Sequence, residues 1–396
     1  MPSLQLDPLW RLSEAWAADT RPDPLNLVIG VYRDEQGVCP VQRAVSIAEA
    51  RLAERAPSKE YTSPAGNLEF NAGICDLILG DPALIGRATS IQAVGGTGAL
   101  RLISDLLAVT GPGRTVHLGT PAYVNHPAVL RAAGLRVSEY PLEQDGRLDA
   151  AAALDVARTA APGDVLLLQG CCHNPTGLGM PLETWIELAH IMAERGVVPF
   201  IDQAYFGLGD GVDEDLEGMR AMLEIVPEAA IAVSASKAWG LYSERTGCAI
   251  VLSSNPARGE YVRGVLEVVA RAAYSQAPSH GARVVAEILG DETLRADWRV
   301  ELEEMRQRLT LLRAELVAEL LATTTVPALP QLGQQRGMFL RLPLDADQME
   351  RLRIDHAIYG VPSGRINLAG LTSDRIPRVA AAIGEVVASS PSRTLL

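Results

Sequence analysis

The stretch DVLLLQGCCHNPTGLGMPLETWIELAHIMAERGVVPFIDQAYFG, residues 164–207, decides the fold class. It opens on a short continuous apolar run and turns through Asn-Pro-Thr-Gly. It then carries apolar residues at helical spacing over 181–196 and closes on a second run, VVPFID, at 197–202. Uninterrupted branched-aliphatic runs of this length suit strands buried on both faces of a parallel sheet. Strand, helix, strand is the repeating unit of a doubly wound α/β domain.

Further runs of the same kind lie on either side: TVHLG (115–119), AAIAVSAS (229–236) and CAIVLSS (248–254), with a helical pattern over 213–226. From about 283 the texture changes to a long charged helix, interrupted near Gly290 and Asp291. Short strand candidates follow at 337–343 and 364–370, then a terminal helix. The expected organisation is an N-terminal arm over 1–38 that contributes to a small domain, a large α/β domain over 39–304, and a small α+β domain over 305–396.

Composition fits one broad class. Of 396 residues 48% are hydrophobic and 21% charged, a globular balance with room for a buried ligand site. With 35 Lys+Arg against 48 Asp+Glu the net charge is −13, which repels phosphate backbones and argues against a nucleic-acid partner. No apolar run approaches the ~20 residues that cross a bilayer, so no membrane association is expected. MPSLQLDPLWRLSEAW lacks the basic flank and apolar stretch of a leader. Five cysteines, two of them adjacent, form neither a disulfide framework nor a zinc spacing; a cytoplasmic location is expected.

Only Lys59 and Lys237 are lysines in this arginine-rich chain. Lys237 follows an apolar strand through the small residues Ser234, Ala235 and Ser236, placing an amine at the crevice where α/β sheets bind ligands. Partial burial lowers a lysine's pKa and frees its amine to attack a carbonyl. Arg245 and Ser234 have the chemistry to hold a phosphate. Asp202 closes VVPFID, where a carboxylate serves either as a helix cap or as the partner of a buried cation; Tyr205 adds a phenol in the same loop. Asn174 falls at the same sheet edge. The Gly-rich AVGGTGALR (93–101) opens a helix and offers backbone N–H groups to an anion, but is no dinucleotide fingerprint. His173 and the vicinal cysteines lack a second ligand cluster, so no metal is expected. Arg365 and Arg271 are candidate carboxylate clamps.

Ten strings in order make the chain resemble the aspartate/aromatic aminotransferases, the class I, fold-type I pyridoxal-phosphate enzymes. They are IGVYRDEQG (29–37), KEYTSPAG (59–66), GGTGALR (95–101), PAYVNH (121–126), CCHNPTG (171–177), DQAYFGLGDG (202–211), SASKAWGLYSERTG (234–247), YSQAPSHGAR (274–283), MRQRL (305–309) and SGRINLAGL (363–371). The resemblance implies a mostly parallel central sheet flanked by helices, with a smaller α+β domain built from both termini. It implies that Lys237 carries pyridoxal 5′-phosphate as a Schiff base and then moves a proton between the substrate's α-carbon and the cofactor.

By the same resemblance, Asp202 would pair with the pyridinium nitrogen, while Asn174 and Tyr205 would hydrogen-bond the ring's 3′ oxygen. Tyr123 would stack over the ring. Arg245, Ser234 and the amides of Gly96 and Thr97 would hold the phosphate, completed by Tyr61 from the partner of a homodimer. Arg365, near Gly30, would clamp the substrate α-carboxylate, and Arg271 would reach the other subunit's site to meet a side-chain carboxylate. The chain departs from the family's usual residues at Tyr123, where Trp is common, at Gln169, where His is common, and at Gln276, where Asn or Ser is usual.

The expected reaction is ping-pong transfer of an amino group between an L-amino acid, aspartate first, and a 2-oxo acid such as 2-oxoglutarate. An aromatic donor is the alternative within the family. A cofactor-binding regulatory domain and a nicotinamide dehydrogenase are the readings from outside it. The first lacks an appended basic module here, and the second lacks its glycine fingerprint.

Overall fold

The computed structural model describes residues 8–324 and 329–389; the parts of the arm and small-domain assignments at 1–7, 325–328 and 390–396 lie outside them, as does the start of the stretch read for a leader. A seven-stranded sheet forms the centre. Its strands are β1 (Ala88–Val94), β2 (Thr115–Thr120), β3 (Arg136–Pro141), β4 (Val165–Gln169), β5 (Val198–Gln203), β6 (Ala229–Ser234) and β7 (Thr246–Leu252). Across the sheet they run β1-β7-β6-β5-β4-β2-β3. Every neighbouring pair is parallel except the two that β7 makes, with β6 and with β1.

The continuous apolar runs fill both faces. Leu166, Leu168, Ile201, Ile231 and Val233 point into one core, while Val165, Leu167, Phe200, Ala230 and Ala232 point into the other. Successive side chains of a strand face opposite ways, so a strand covered on both sides is apolar along its length, with polar residues only at its ends. Helix Leu182–Arg195 crosses between β4 and β5 as its periodicity predicts, and Gly196 ends it in the left-handed conformation at φ +69°.

Two strands escape the apolar-run criterion. β1 mixes Thr89, Ser90 and Gln92 with apolar residues. β3 is an edge strand with most of its side chains toward solvent, so only Tyr140 is buried along it.

The smaller α+β part draws on both ends of the chain. Helix α1 (Pro8–Ala17) lays Leu9, Leu12 and Trp16 against Val28, Tyr359 and Val361. The short strand Leu25–Asn26 pairs with Ile358–Tyr359. Helix α2 (Gly95–Thr110) belongs to the large part and packs on β6 and β7, and α3 (Pro256–Tyr274) packs against it. Helix α4 (Glu292–Thr323) begins where Asp291 caps the N–H groups of Thr293 and Leu294, which accounts for the break after Gly290. It packs against α5 (Ile376–Ala388). Strand β8 (Phe339–Arg341) pairs antiparallel with β9 (Arg365–Asn367), setting Arg341 opposite Arg365.

All five cysteines are free thiols. Among the described residues no helix is long and apolar enough to cross a membrane.

Candidate active site

The carboxyl ends of β4, β5 and β6 open into a cavity of about 620 Å³. Gly30, Gly96, Thr97, Tyr123, Asn174, Asp202, Tyr205, Ser234, Lys237 and Arg245 all line it. Parallel register explains why: Gln169 pairs with Asp202 and Asp202 with Ala232, so the strand ends and the loops that follow them converge.

Lys237 is held where its amine lies 4.9 Å from the centre of the Tyr205 ring. Burial pulls its pKa down to about 8, against the opposing field of Asp202 and with that of Arg245. The amine is therefore largely free base in mildly alkaline solution. Burial pushes the Tyr205 phenol far above its ordinary value, keeping it a neutral donor. Asp202 is buried, and Nε2 of His126 stands 2.8 Å from its Oδ2. His126 forms an edge-on contact with Tyr123, ring centres 5.2 Å apart. His126 does not stand out in the sequence as a site residue, although PAYVNH contains it three residues after Tyr123.

The first turn of α2 meets the start of β7 with almost no clearance. Gly95 has φ +67°, and a Cβ there would sit 2.5 Å from Arg245 Nη2; a Cβ on Gly96 would sit 2.8 Å from Ser234 Cβ. Glycine at both positions lets helix N–H groups, a serine and a guanidinium converge on one spot. Among the described residues Arg245 donates only to neutral oxygens, Ser236 Oγ at 3.4 Å and Tyr242 O at 3.1 Å. Its own φ is +53°, a strained backbone position of the kind that concentrates at functional sites.

Arg365 adjoins the cavity through Asn174, which lines it. It is buried, donates from Nη1 to Asn174 Oδ1 at 3.0 Å and from Nη2 to Val28 O at 2.7 Å, and lies 4.3 Å over the Phe339 ring. Its Nε has no hydrogen-bond partner. Among the described residues no carboxylate forms an ion pair with either Arg365 or Arg245. A buried guanidinium without an anion, as at Arg365, is costly, and a second, half-buried one at Arg245 on the same cavity fits a ligand with two anionic ends. The donor set therefore fits pyridoxal phosphate: an amine for its aldehyde, a buried carboxylate for its ring nitrogen, and an anion cradle for its phosphate.

Two expected residues are not brought to this cavity. Tyr61 is 92% exposed. Arg271 is exposed near the end of α3 and donates to Ser275 Oγ at 2.9 Å. Both were assigned to a partner's site. Leu9, Trp10, Ile29 and Val31 give the cavity an apolar side that the sequence motifs do not reveal.

Cys171, Cys172 and Asp215 place their ligand atoms within 4.8 Å of one another. The Asp215 carboxylate accepts the N–H groups of Gly207, Gly209 and Asp210 at 2.8–2.9 Å, holding the loop after Tyr205, and burial pushes the Cys171 thiol well up. Buried thiols in that state behave as packing groups.

Comparison with known proteins agrees with this geometry. The profile of the family described as "Aminotransferase class I and II" matches residues 22–383. The aromatic-amino-acid aminotransferase of Pseudomonas aeruginosa is 42% identical over 96% of this chain and 97% of its own length. The aspartate aminotransferase of Escherichia coli is 39% identical over 96% and 98%. The solved aromatic-amino-acid aminotransferase of Burkholderia pseudomallei, covalently bound to pyridoxal phosphate, superposes with a TM-score of 0.93 at 35% identity, covering 97% of this chain and 98% of that one.

Proposed function

The chain belongs to the class I and II aminotransferases and is a pyridoxal-phosphate-dependent transaminase; from that premise we propose which residues do the work and on which substrates. Lys237 carries the cofactor and afterwards moves the proton at the substrate's α-carbon. The observation that carries this assignment is the Lys237 amine, with its pKa drawn down to about 8, sharing one cavity with Asp202 and with Arg245, which has no carboxylate partner among the described residues.

When bound, pyridoxal phosphate supplies an aldehyde that bonds the reacting amine and a ring that accepts the electron pair released at the α-carbon. Asp202, oriented by His126, offers its carboxylate to the ring nitrogen. Asn174 and Tyr205 donate to the 3′ oxygen, and Tyr123 covers a ring face. The N–H groups of Gly96 and Thr97, Ser234 Oγ and Arg245 hold the phosphate, with Tyr61 of the partner subunit completing the cradle. Arg365, beside Gly30, takes the α-carboxylate. Lys237 Nζ, as free base, accepts the α-proton and returns it to the carbon that completes the transfer.

The substrates are an L-amino acid and a 2-oxo acid, with aspartate and 2-oxoglutarate as the pair to which Arg271 of the partner subunit gives a second cation. An aromatic donor is favoured by a different observation, the apolar side formed by Leu9, Trp10, Ile29 and Val31, and by the naming of the Pseudomonas relative. A site shared between two copies makes the enzyme a homodimer, a reading the exposure of Tyr61 and Arg271 supports, and the expected location is the cytoplasm. The boundaries at 38/39 and 304/305 belong to the same reading. The test is kcat/KM for aspartate and phenylalanine with 2-oxoglutarate. Aspartate ahead by more than tenfold supports the dicarboxylate assignment, and comparable values replace it with the aromatic one.

A further inference from the structure

Gln169 is the last residue of β4, half-buried at the cavity wall next to Asp202 in the sheet register. Its side-chain amide uses both ends on a single residue. Oε1 accepts the backbone N–H of Asn174 at 2.8 Å, and Nε2 donates to the backbone carbonyl of Asn174 at 2.9 Å. Asn174 in turn accepts Arg365 Nη1 on Oδ1. The connected series Gln169–Asn174–Arg365 joins the end of a central strand to β9, with Asn174 and Arg365 separated by 191 residues of chain.

We propose that Gln169 is a positioning residue that locks the Asn174 backbone, so that one asparagine side chain orients Arg365 for a carboxylate while keeping its own amide toward the cofactor. The inference rests on the roles proposed above for Asn174 and Arg365. The chemistry favours glutamine for this task. A primary amide presents one acceptor and one donor side by side, matching the N–H and C=O of one residue, whereas an imidazole in its neutral form has its single donor and single acceptor on opposite sides of a ring. Both partners are backbone groups, so the lock holds whatever the Asn174 side chain does. A doubly satisfied polar contact that is partly shielded from water also costs more to break than a fully solvated one.

The test uses holoenzyme variants and the dissociation constant for maleate, a dicarboxylate that cannot be transaminated, read from the cofactor's absorbance. Gln169→Ala should weaken maleate about tenfold, the loss expected when one well-made hydrogen-bonded contact is released. It should also move the pH at which the cofactor band changes colour. Gln169→Glu keeps the size but replaces the donor with an oxygen facing the Asn174 carbonyl, and should weaken maleate at least as much. In an Asn174→Ala background, Gln169→Ala should change maleate affinity less than twofold, because the effect passes through that side chain. The proposal is overturned if either Gln169 variant binds maleate like the parent, or if the loss persists undiminished in the Asn174→Ala background. If Asn174→Ala alone leaves maleate affinity and the colour transition unchanged, the roles given to Asn174 and Arg365 fail first, and the proposal falls with them.

Discussion

His126 Nε2 and Asp202 Oδ2 lie 2.8 Å apart, both groups buried, and the other ring nitrogen of His126 has no hydrogen-bond partner among the described residues. The contact spans 76 residues and fixes the carboxylate that faces the cofactor site. A hydrogen bond to a charged group contributes roughly 1.5–3 kcal/mol. His126→Ala should therefore lower kcat about ten- to hundredfold with a smaller change in KM. Asp202→Ala, which removes the charge itself, should cost about a thousandfold. Steady-state kinetics with saturating cofactor checks both, and an unchanged His126→Ala rate would detach the histidine from function.

Lys237 has its pKa lowered to about 8 by burial, so the attacking free base grows as pH rises toward that value. In cofactor-free protein the rate of reloading with pyridoxal phosphate should climb about tenfold per pH unit below 8 and level off above it. Stopped-flow absorbance follows the reaction. A profile still climbing at pH 10 would mean an unperturbed amine.

Arg365 is buried without a carboxylate, and its planar fork suits a substrate carboxylate better than an ammonium does. Arg365→Lys keeps the charge and should still raise KM for every amino-acid and oxo-acid substrate by about thirty- to hundredfold, equivalent to roughly 2–3 kcal/mol. A KM effect confined to dicarboxylates would assign it to the distal carboxylate instead.

Among the described residues Arg245 donates only to neutral oxygens. Arg245→Ala should loosen the cofactor by about a hundredfold, the scale of one charge-assisted phosphate contact. Equilibrium dialysis measures it directly, and retention of parental affinity would place the phosphate elsewhere.

Trp298 and Trp239 stack at 4.9 Å and 7°, both fully buried, and Trp298 Nε1 donates to Ala238 O at 2.8 Å, one residue beyond Lys237. Trp298→Ala should cost about 3–5 kcal/mol of stability, read as a lower urea midpoint. A smaller effect would show that the core refills the space.

What could be read from the chain itself depended on how local the cause was. β4, β5, β6 and β7 announce themselves because burial on both faces keeps polar residues to their ends. β1 and β3 do not, since Gln92 and Thr89 are satisfied by distant groups and β3 buries only Tyr140. Lys237, Asp202 and Asn174 stood out because each lies at or just after the end of a strand, where parallel topology makes a crevice. The links between them did not stand out: His126 to Asp202, Gln169 around Asn174, and Asn174 to Arg365 join loops whose approach only the folded sheet determines. Tyr61 and Arg271 lie away from this chain's cavity, so their assignment depended on resemblance from the start.

The central claim is that Lys237 is the amine to which pyridoxal phosphate is attached. Borohydride reduction of the holoenzyme followed by peptide mass spectrometry tests it most directly. The account predicts the reduced cofactor's mass on the peptide containing Lys237 and none on the peptide containing the exposed Lys59. Label on Lys59, or on neither lysine, would contradict it.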